Sequence, residues 1–168
     1  MHFRWRDNAG IIAQYILDSK IPRAAEVTLK PNEVCVILED GRVVGSVSQQ
    51  HMEVSPQVGA FGKLFGRSNP KRSFMFAFTG PHLILIQVRG LSNDGEEINC
   101  LLNLKLEITR ESAPRLLTFP AKGTLTVNSM VISDLISSQA NSAAVQFLSH
   151  LSSNEMRTTE ISEDLIFH

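Results

Sequence analysis

An alternation of apolar and polar side chains over Ile98–Ile108 restricts the fold of this chain more than any other feature of its sequence. The apolar residues are Leu102, Leu104, Leu106 and Ile108, and the polar residues beside them are Asn103, Lys105, Glu107 and Thr109. Successive side chains of a β-strand point to opposite faces of a sheet, so this period of two predicts a long strand with one buried face. We expect the apolar set in the core and Asn103, Lys105 and Glu107 in solvent.

A β-hairpin is predicted over Pro31–Val47. Asp40-Gly41 separates two apolar-rich runs, Val34–Leu38 and Arg42–Val47. Asp-Gly is a favoured two-residue turn, because both central positions of that turn need positive φ.

Runs of β-branched and aromatic residues elsewhere predict further strands. They are Ile11–Leu17, Ala25–Leu29, Met52–Val54, Phe74–Phe78 and Leu83–Arg89. The sequences between them predict turns at Pro31-Asn32, Gly80-Pro81 and Ser92–Gly95. Residues 55–72 contain three glycines and two prolines, which is typical of a loop.

A helix is predicted after Thr126, where the period changes. Apolar residues then recur every three or four positions, at Ile132, Ile136, Ala140, Ala143, Phe147 and Leu151. This spacing traces one helix face, and we expect the helix to end near Ser152–Asn154. The candidate N-cap residues are Thr124, Thr126 and Asn128. Strands followed by a helix indicate the α+β class.

Composition limits the class of protein. The 168 residues are 43% hydrophobic, which suits a single α+β domain over residues 1–154 with a short helical or frayed tail at 155–168. The formal net charge of −1 gives no overall field that would attract nucleic acid, so we expect no nucleic-acid partner. The cysteines, Cys35 and Cys100, lie far apart and predict free thiols in a reducing compartment.

The sequence predicts a cytoplasmic location, or one peripheral to the inner face of a membrane. Its first ten residues lack the apolar core of a signal peptide. The longest nearly uncharged apolar run, Ser73–Val88, is interrupted by Gly80-Pro81 and is too short to span a bilayer.

The loop over residues 57–72 is the candidate contact site, with an anionic membrane or a protein partner. Apolar side chains interleave there with cations, and the set is Phe61, Lys63, Leu64, Phe65, Arg67, Lys71 and Arg72. No acidic residue occurs from Val54 to Asn93. Exposed rings can enter the acyl boundary of a bilayer while cations contact its headgroups, and the same composition suits a protein contact. The alternative is that the two phenylalanines pack back into the core.

Motifs for catalysis or metal binding do not emerge from the sequence. The glycines of the loop lack the spacing of a phosphate-binding loop, and the five histidines form no i, i+4 pair on one helix. We therefore predict that the chain is not an enzyme and has no catalytic residue, metal or cofactor.

These patterns together resemble a domain of the stomatin–prohibitin–flotillin (band 7, SPFH) superfamily. The segments that carry the resemblance are Val27–Ile37, Asp40–Val44, Leu101–Ile108 and Leu125–Leu151. Phe3–Asp7 is similar to an opening stretch of the prokaryotic branch described as virion-core-protein-like.

The resemblance implies a curved, mainly antiparallel β-sheet with a long C-terminal helix. It also implies a non-enzymatic scaffold that self-associates as a homo-oligomer on or near a membrane, with no catalytic residues. The alternative from another class is a soluble β-rich binding domain that holds a peptide or small ligand without a membrane.

Overall fold

The computed structural model describes residues 2–22, 26–48, 51–53 and 71–158. The strands within these ranges are β1 His2–Phe3, β2 Ile11–Leu17, β3 Glu26–Thr28, β4 Glu33–Glu39, β5 Arg42–Ser48, β6 His51–Glu53, β7 Arg72–Phe78, β8 His82–Leu91, β9 Glu97–Leu106 and β10 Thr126–Asn128. The α-helices are α1 Thr118–Ala121, α2 Ser129–Leu148 and α3 Ser153–Thr158, and 3-10 turns cover Asp18–Lys20 and Ala113–Leu117.

The described residues group into two compact units. One contains those within 1–82 and 105–131, and the other contains those within 83–104 and 132–158. The fold is α+β with a mainly antiparallel sheet and a C-terminal helix, which confirms the predicted class. The sheet's curvature, the band-7 architecture and the predicted single domain over residues 1–154 stay predictions.

The first unit is built on a five-stranded sheet in the order β10-β2-β7-β4-β5, in which every neighbouring pair is antiparallel. Strand β7 is central and buries five consecutive residues, Ser73–Ala77. A smaller sheet has the order β1-β3-β6, in which β1 runs parallel to β3. Central strands covered on both faces read as continuous apolar runs, which explains the sequence of β7.

The predicted hairpin is confirmed at β4 and β5. Asp40 and Gly41 have φ values of 48° and 77°, the left-handed region that a two-residue hairpin turn requires. The Asp40 carboxylate also accepts a hydrogen bond from the Lys71 backbone N–H at 2.9 Å. This bond fixes the turn against the residue that precedes β7.

An aromatic cluster fills the core of the first unit. Trp5 stacks on one side of the cluster with its ring centroid 5.8 Å from that of Phe76, and Phe74 also stacks on Phe76 with centroids 6.0 Å apart. The guanidinium of Arg6 lies 4.5 Å from the centroid of Phe78. These contacts join the chain before β2 to the middle of the sheet.

The second unit contains most of the hairpin formed by β8 and β9, with His82, Lys105 and Leu106 assigned to the first unit. Ser92 shapes its turn, because its Oγ accepts the Glu96 N–H at 2.9 Å and its own N–H donates to the Glu96 carbonyl at 3.0 Å. The predicted turn at Ser92–Gly95 is therefore confirmed. Helix α2 packs on β8 so closely that a Cβ at Gly90 would lie 3.3 Å from the Val145 side chain.

The alternation of faces along β9 is confirmed, but only Ile108 of the apolar set lies in the core, and the predicted end of the strand is wrong. Asn103, Lys105 and Glu107 are exposed, Ile108 is buried, and the alternating leucines are half-buried. The strand ends at Leu106, two residues before the predicted end, because the Ile108 N–H donates to the Thr79 carbonyl instead of continuing a ladder. The other predicted strands agree within two residues, with Ala25 and Val54 outside the described residues.

Helix α2 begins where predicted and ends early. Asn128 is the cap, since its Oδ1 accepts the Val131 N–H at 3.0 Å. The helix ends at Leu148 rather than near Ser152–Asn154, and α3 begins at Ser153. Its buried residues are Ile132, Ala140, Ala144 and Leu148. After Ala140 the buried helix face therefore differs from the predicted one. None of the described helices is long and apolar enough to cross a membrane.

Candidate functional site

The outer face of the β8–β9 hairpin carries large exposed apolar side chains. Along β8 the inward residues Ile84, Ile86 and Val88 are buried. The outward residues Leu83, Leu85 and Leu91 are 62%, 49% and 54% exposed. Apolar residues on both faces of a strand are typical of strands covered on both sides, and among the described residues nothing covers the outward face of β8 in this way.

Strand β9 adds one more leucine to this face. Leu101 is 58% exposed, and its neighbours on the same side are polar or charged. The Gln87 amide of β8 donates to the Asn99 Oδ1 of β9 at 3.1 Å, so the outward residues of the two strands share one face. We call the four side chains Leu83, Leu85, Leu91 and Leu101 the leucine face.

The turn end of the hairpin is held by a carboxylate. Asp94 accepts hydrogen bonds from the Ser153 N–H at 3.2 Å and from the Ser153 hydroxyl at 2.7 Å, at the start of α3. The hydroxyls of Ser92 and Ser153 lower the Asp94 pKa to about 2 by stabilising its charged form. The hairpin turn and the last described helix are therefore connected through an ionised side chain.

A cleft of about 200 Å³ lies in the first unit. Its lining residues are Phe3, Arg4, Trp5, Arg6, Asp7, Asn8, Ala9, Thr28, Lys30 and Glu33. The Glu33 carboxylate accepts the Lys30 N–H at 3.0 Å, which holds the turn before β4. Trp5 Nε1 is buried and has no hydrogen-bond partner among the described residues. Both cations and carboxylates line the cleft. A small polar ligand therefore suits its chemistry best.

The predicted contact loop falls mostly outside the described residues. Phe61, Lys63, Leu64, Phe65 and Arg67 all lie there. Two of its cationic residues are described, and each contacts an acid that is distant in sequence, Lys71 through its backbone and Arg72 through its side chain. Lys71 is exposed and its backbone N–H binds the Asp40 carboxylate. The Arg72 side chain is only 12% exposed, with its Nη2 3.4 Å from Asp18 Oδ2, so its charge is directed into the fold.

The two cysteines are free, as expected. Burial raises the pKa of the Cys35 thiol strongly and also raises that of Cys100. A raised pKa keeps each sulfur protonated and poorly nucleophilic at neutral pH. Across the described part of the chain, no group of three His, Cys, Asp or Glu side chains is arranged to bind a metal ion.

Comparisons with known proteins assign no family to this chain. No family model matches it, and no curated protein matches it. The leucine face was not predicted from the sequence, although part of its signal was present, since Leu83–Ile86 is apolar on both strand faces. A strand with apolar residues on one face only normally has its other face in solvent, whereas a strand with apolar residues on both faces normally has both faces covered.

Proposed function

We propose that the chain is a non-enzymatic scaffold or assembly module of the band-7 type, which self-associates and works at a membrane surface or with a protein partner. The leucine face is the observation that carries this proposal. Exposed apolar patches on a protein surface usually mark interaction sites.

The energetics favour covering this face. Complete burial of one leucine side chain contributes about 1.5–3 kcal/mol. The side chains of the leucine face are about half exposed, so roughly half of that contribution per residue remains to be gained by association. Neither the protonated thiols nor the cleft lined by charges of both signs provides an activated nucleophile among the described residues. This supports a binding role over a catalytic one.

The membrane component of the proposal rests on the loop over residues 57–72. Its phenylalanines and cations have the composition of a membrane-surface contact. Arg72 is paired with Asp18, so we expect Lys63, Arg67 and Lys71 to provide most of the attraction to anionic lipid.

Vesicle sedimentation combined with light scattering tests the proposal. We expect the natural chain to be larger than a monomer, or to sediment with vesicles of anionic lipid. The double change Leu83→Ser with Leu85→Ser should reduce association and leave the melting temperature nearly unchanged, because both side chains are exposed.

A matched control uses the same chemistry on another surface. Leu17 and Leu125 are 49% and 53% exposed and lie in the first unit. Leu17→Ser with Leu125→Ser should leave association intact. A chain that is monomeric at every concentration and ignores lipid would contradict the proposal.

The cleft favours a second candidate, a soluble binding domain for a peptide or small ligand. At its wall, the Trp5 Nε1–H donates to no residue in the described part of the chain, and Arg4 and Lys30 are exposed cations beside it. A shift of the Trp5 indole NMR signal on adding small carboxylates, lost in Arg4→Ala, would support this candidate. An unchanged indole signal would exclude it for that ligand class.

A further inference from the structure

One edge of β9 is unpaired among the described residues. The strand belongs to a two-stranded sheet in which β8 is its neighbour on one side. Alternate backbone N–H and C=O groups of β9 therefore point away from β8 along a strand of ten residues. A long unpaired edge is a template for pairing with another strand.

The outward face of β9 is nearly symmetric about Leu101. Reading along the strand, the outward residues are Glu97, Asn99, Leu101, Asn103 and Lys105. Reversing this order exchanges the two asparagines and puts an acid where the base was. A strand with this pattern complements an antiparallel copy of itself.

We infer that two copies of the chain pair edge to edge through β9, antiparallel and centred on Leu101. This inference rests on the proposed self-association and identifies its partner as a second copy. Each Glu97 then lies opposite Lys105 of the second copy, and the two Leu101 side chains meet at a two-fold axis. Such an interface is isologous, because the same residues are contributed by both copies.

The inward face of β9 fits the same register. Centring on Leu101 places Ile98 opposite Leu104 of the second copy and Cys100 opposite Leu102. Apolar side chains therefore meet apolar side chains on that face, while opposite charges and amides meet on the outward face. Cross-strand pairs of these kinds stabilise sheets.

Competing registers lose these pairs. A shift of two residues in one direction puts Glu97 opposite Glu107, and the same shift in the other direction puts Lys105 opposite Gly95. Parallel pairing in register sets Glu97 on Glu97 and Lys105 on Lys105. Like charges directly opposite destabilise a strand pair, so the charges select the antiparallel register centred on Leu101.

The charges on the two strands also favour β9 over β8 as the pairing edge. Lys105 Nζ lies 3.5 Å from Glu107 Oε1, but both side chains are more than 60% exposed, so this surface pair leaves Lys105 free to gain a second acid. The outward face of β8 carries Arg89 and no acid, so β8 has no such complement to itself. Pairing through β9 would also join the leucine faces of two copies into one surface.

Charge exchange tests the inference directly. Lys105→Glu and Glu97→Lys should each weaken homodimer formation about tenfold or more, because each replaces two attractive pairs by two repulsive ones. A mixture of the two variants should form a heterodimer, and the chain carrying both changes should dimerise about as well as the natural chain. Sedimentation velocity measures all four, and both positions are exposed, so the variants are expected to fold.

Cross-linking tests the register. In a Cys100→Ser background, Leu101→Cys should form an intermolecular disulfide rapidly, because paired Cα atoms across strands lie about 4.5–5.5 Å apart. Asn99→Cys is the matched control and should not cross-link. In this register residue 99 of one copy lies opposite Asn103 of the other, so the two introduced cysteines are several residues apart.

The outcomes separate the inference from the proposed function. Self-association that survives Lys105→Glu and Glu97→Lys without rescue in the mixture would overturn the β9 pairing while the scaffold proposal stands. Lipid binding by a monomer would also overturn it. Weakening in each variant with rescue in the mixture would support both.

Discussion

At the scale of residues, burial and hydrogen bonding decide which side chains matter. Leu104 faces inward on β9 and is half-buried, whereas its neighbour Lys105 faces solvent. Asp94 is fully exposed yet keeps a low pKa, because Ser92 and Ser153 hydrogen-bond to its charged form. Position on a strand face and local hydrogen bonds therefore determine what each substitution does.

Leu104→Ala should lower the free energy of unfolding by about 2 kcal/mol, near the lower end for leucine-to-alanine changes because the side chain is half-buried. Lys105→Ala is the control and should change it by less than about 0.5 kcal/mol. Urea unfolding monitored by circular dichroism measures both values. Equal effects of the two changes would show that the strand faces are assigned wrongly.

The connection between Asp94 and Ser153 should depend on pH. Folding lowers the Asp94 pKa from 3.8 to about 2, so its stabilising contribution is complete above about pH 4 and is lost as the pH falls toward 2. The protection factor of the Ser153 amide, which is its intrinsic exchange rate at each pH divided by its observed rate, should therefore fall over that interval. Asp94→Asn should remove this acid-dependent step, and a step of the same size in the variant would assign it to another group.

At the scale of elements, turns, strand faces and the helix cap were predictable because their signals are local. The Asp40-Gly41 turn depends only on the φ values of those two residues. The Asn128 cap depends only on the backbone N–H three residues later. The buried stripe of α2 was harder, since Ala143 and Ala144 are both small and apolar and only packing selects Ala144. The pairing of Arg72 with Asp18 joins residues 54 apart, which no local pattern reveals.

The helix cap gives a prediction at this scale. Asn128→Ala should cost about 1 kcal/mol of stability, because it removes the acceptor for the Val131 N–H. Thr126→Ala changes another candidate cap that is exposed on β10, and it should cost less. Thermal unfolding of the two variants provides the comparison, and a larger loss for Thr126→Ala would move the cap to that residue.

At the scale of the whole molecule, the central claim is association through an uncovered surface. The sequence predicted the α+β class, since alternation and periodicity indicate which residues are buried. It did not reveal the leucine face, because a strand that is apolar on both sides normally has both sides covered within its own chain. We propose that a second copy, a partner or a membrane provides that cover.

The predicted contact loop is tested at the same scale. Phe61→Ser with Phe65→Ser should reduce binding to anionic vesicles and leave the melting temperature nearly unchanged, because the proposal has both rings in contact with lipid. Binding should also weaken with salt, which screens charges over about 8 Å at physiological ionic strength. Unfolding of the double variant would instead assign the rings to the core.

The mass of the chain in solution shows whether the chain associates through its exposed surface. Sedimentation velocity over a hundredfold range of concentration, with the Leu83→Ser and Leu85→Ser variant beside the natural chain, measures it without assuming a partner. We expect a dimer or larger species for the natural chain, and loss of the larger species or of vesicle binding for the variant, in which the β9 edge is unchanged. Identical monomers at every concentration, with no binding to anionic vesicles, would contradict it.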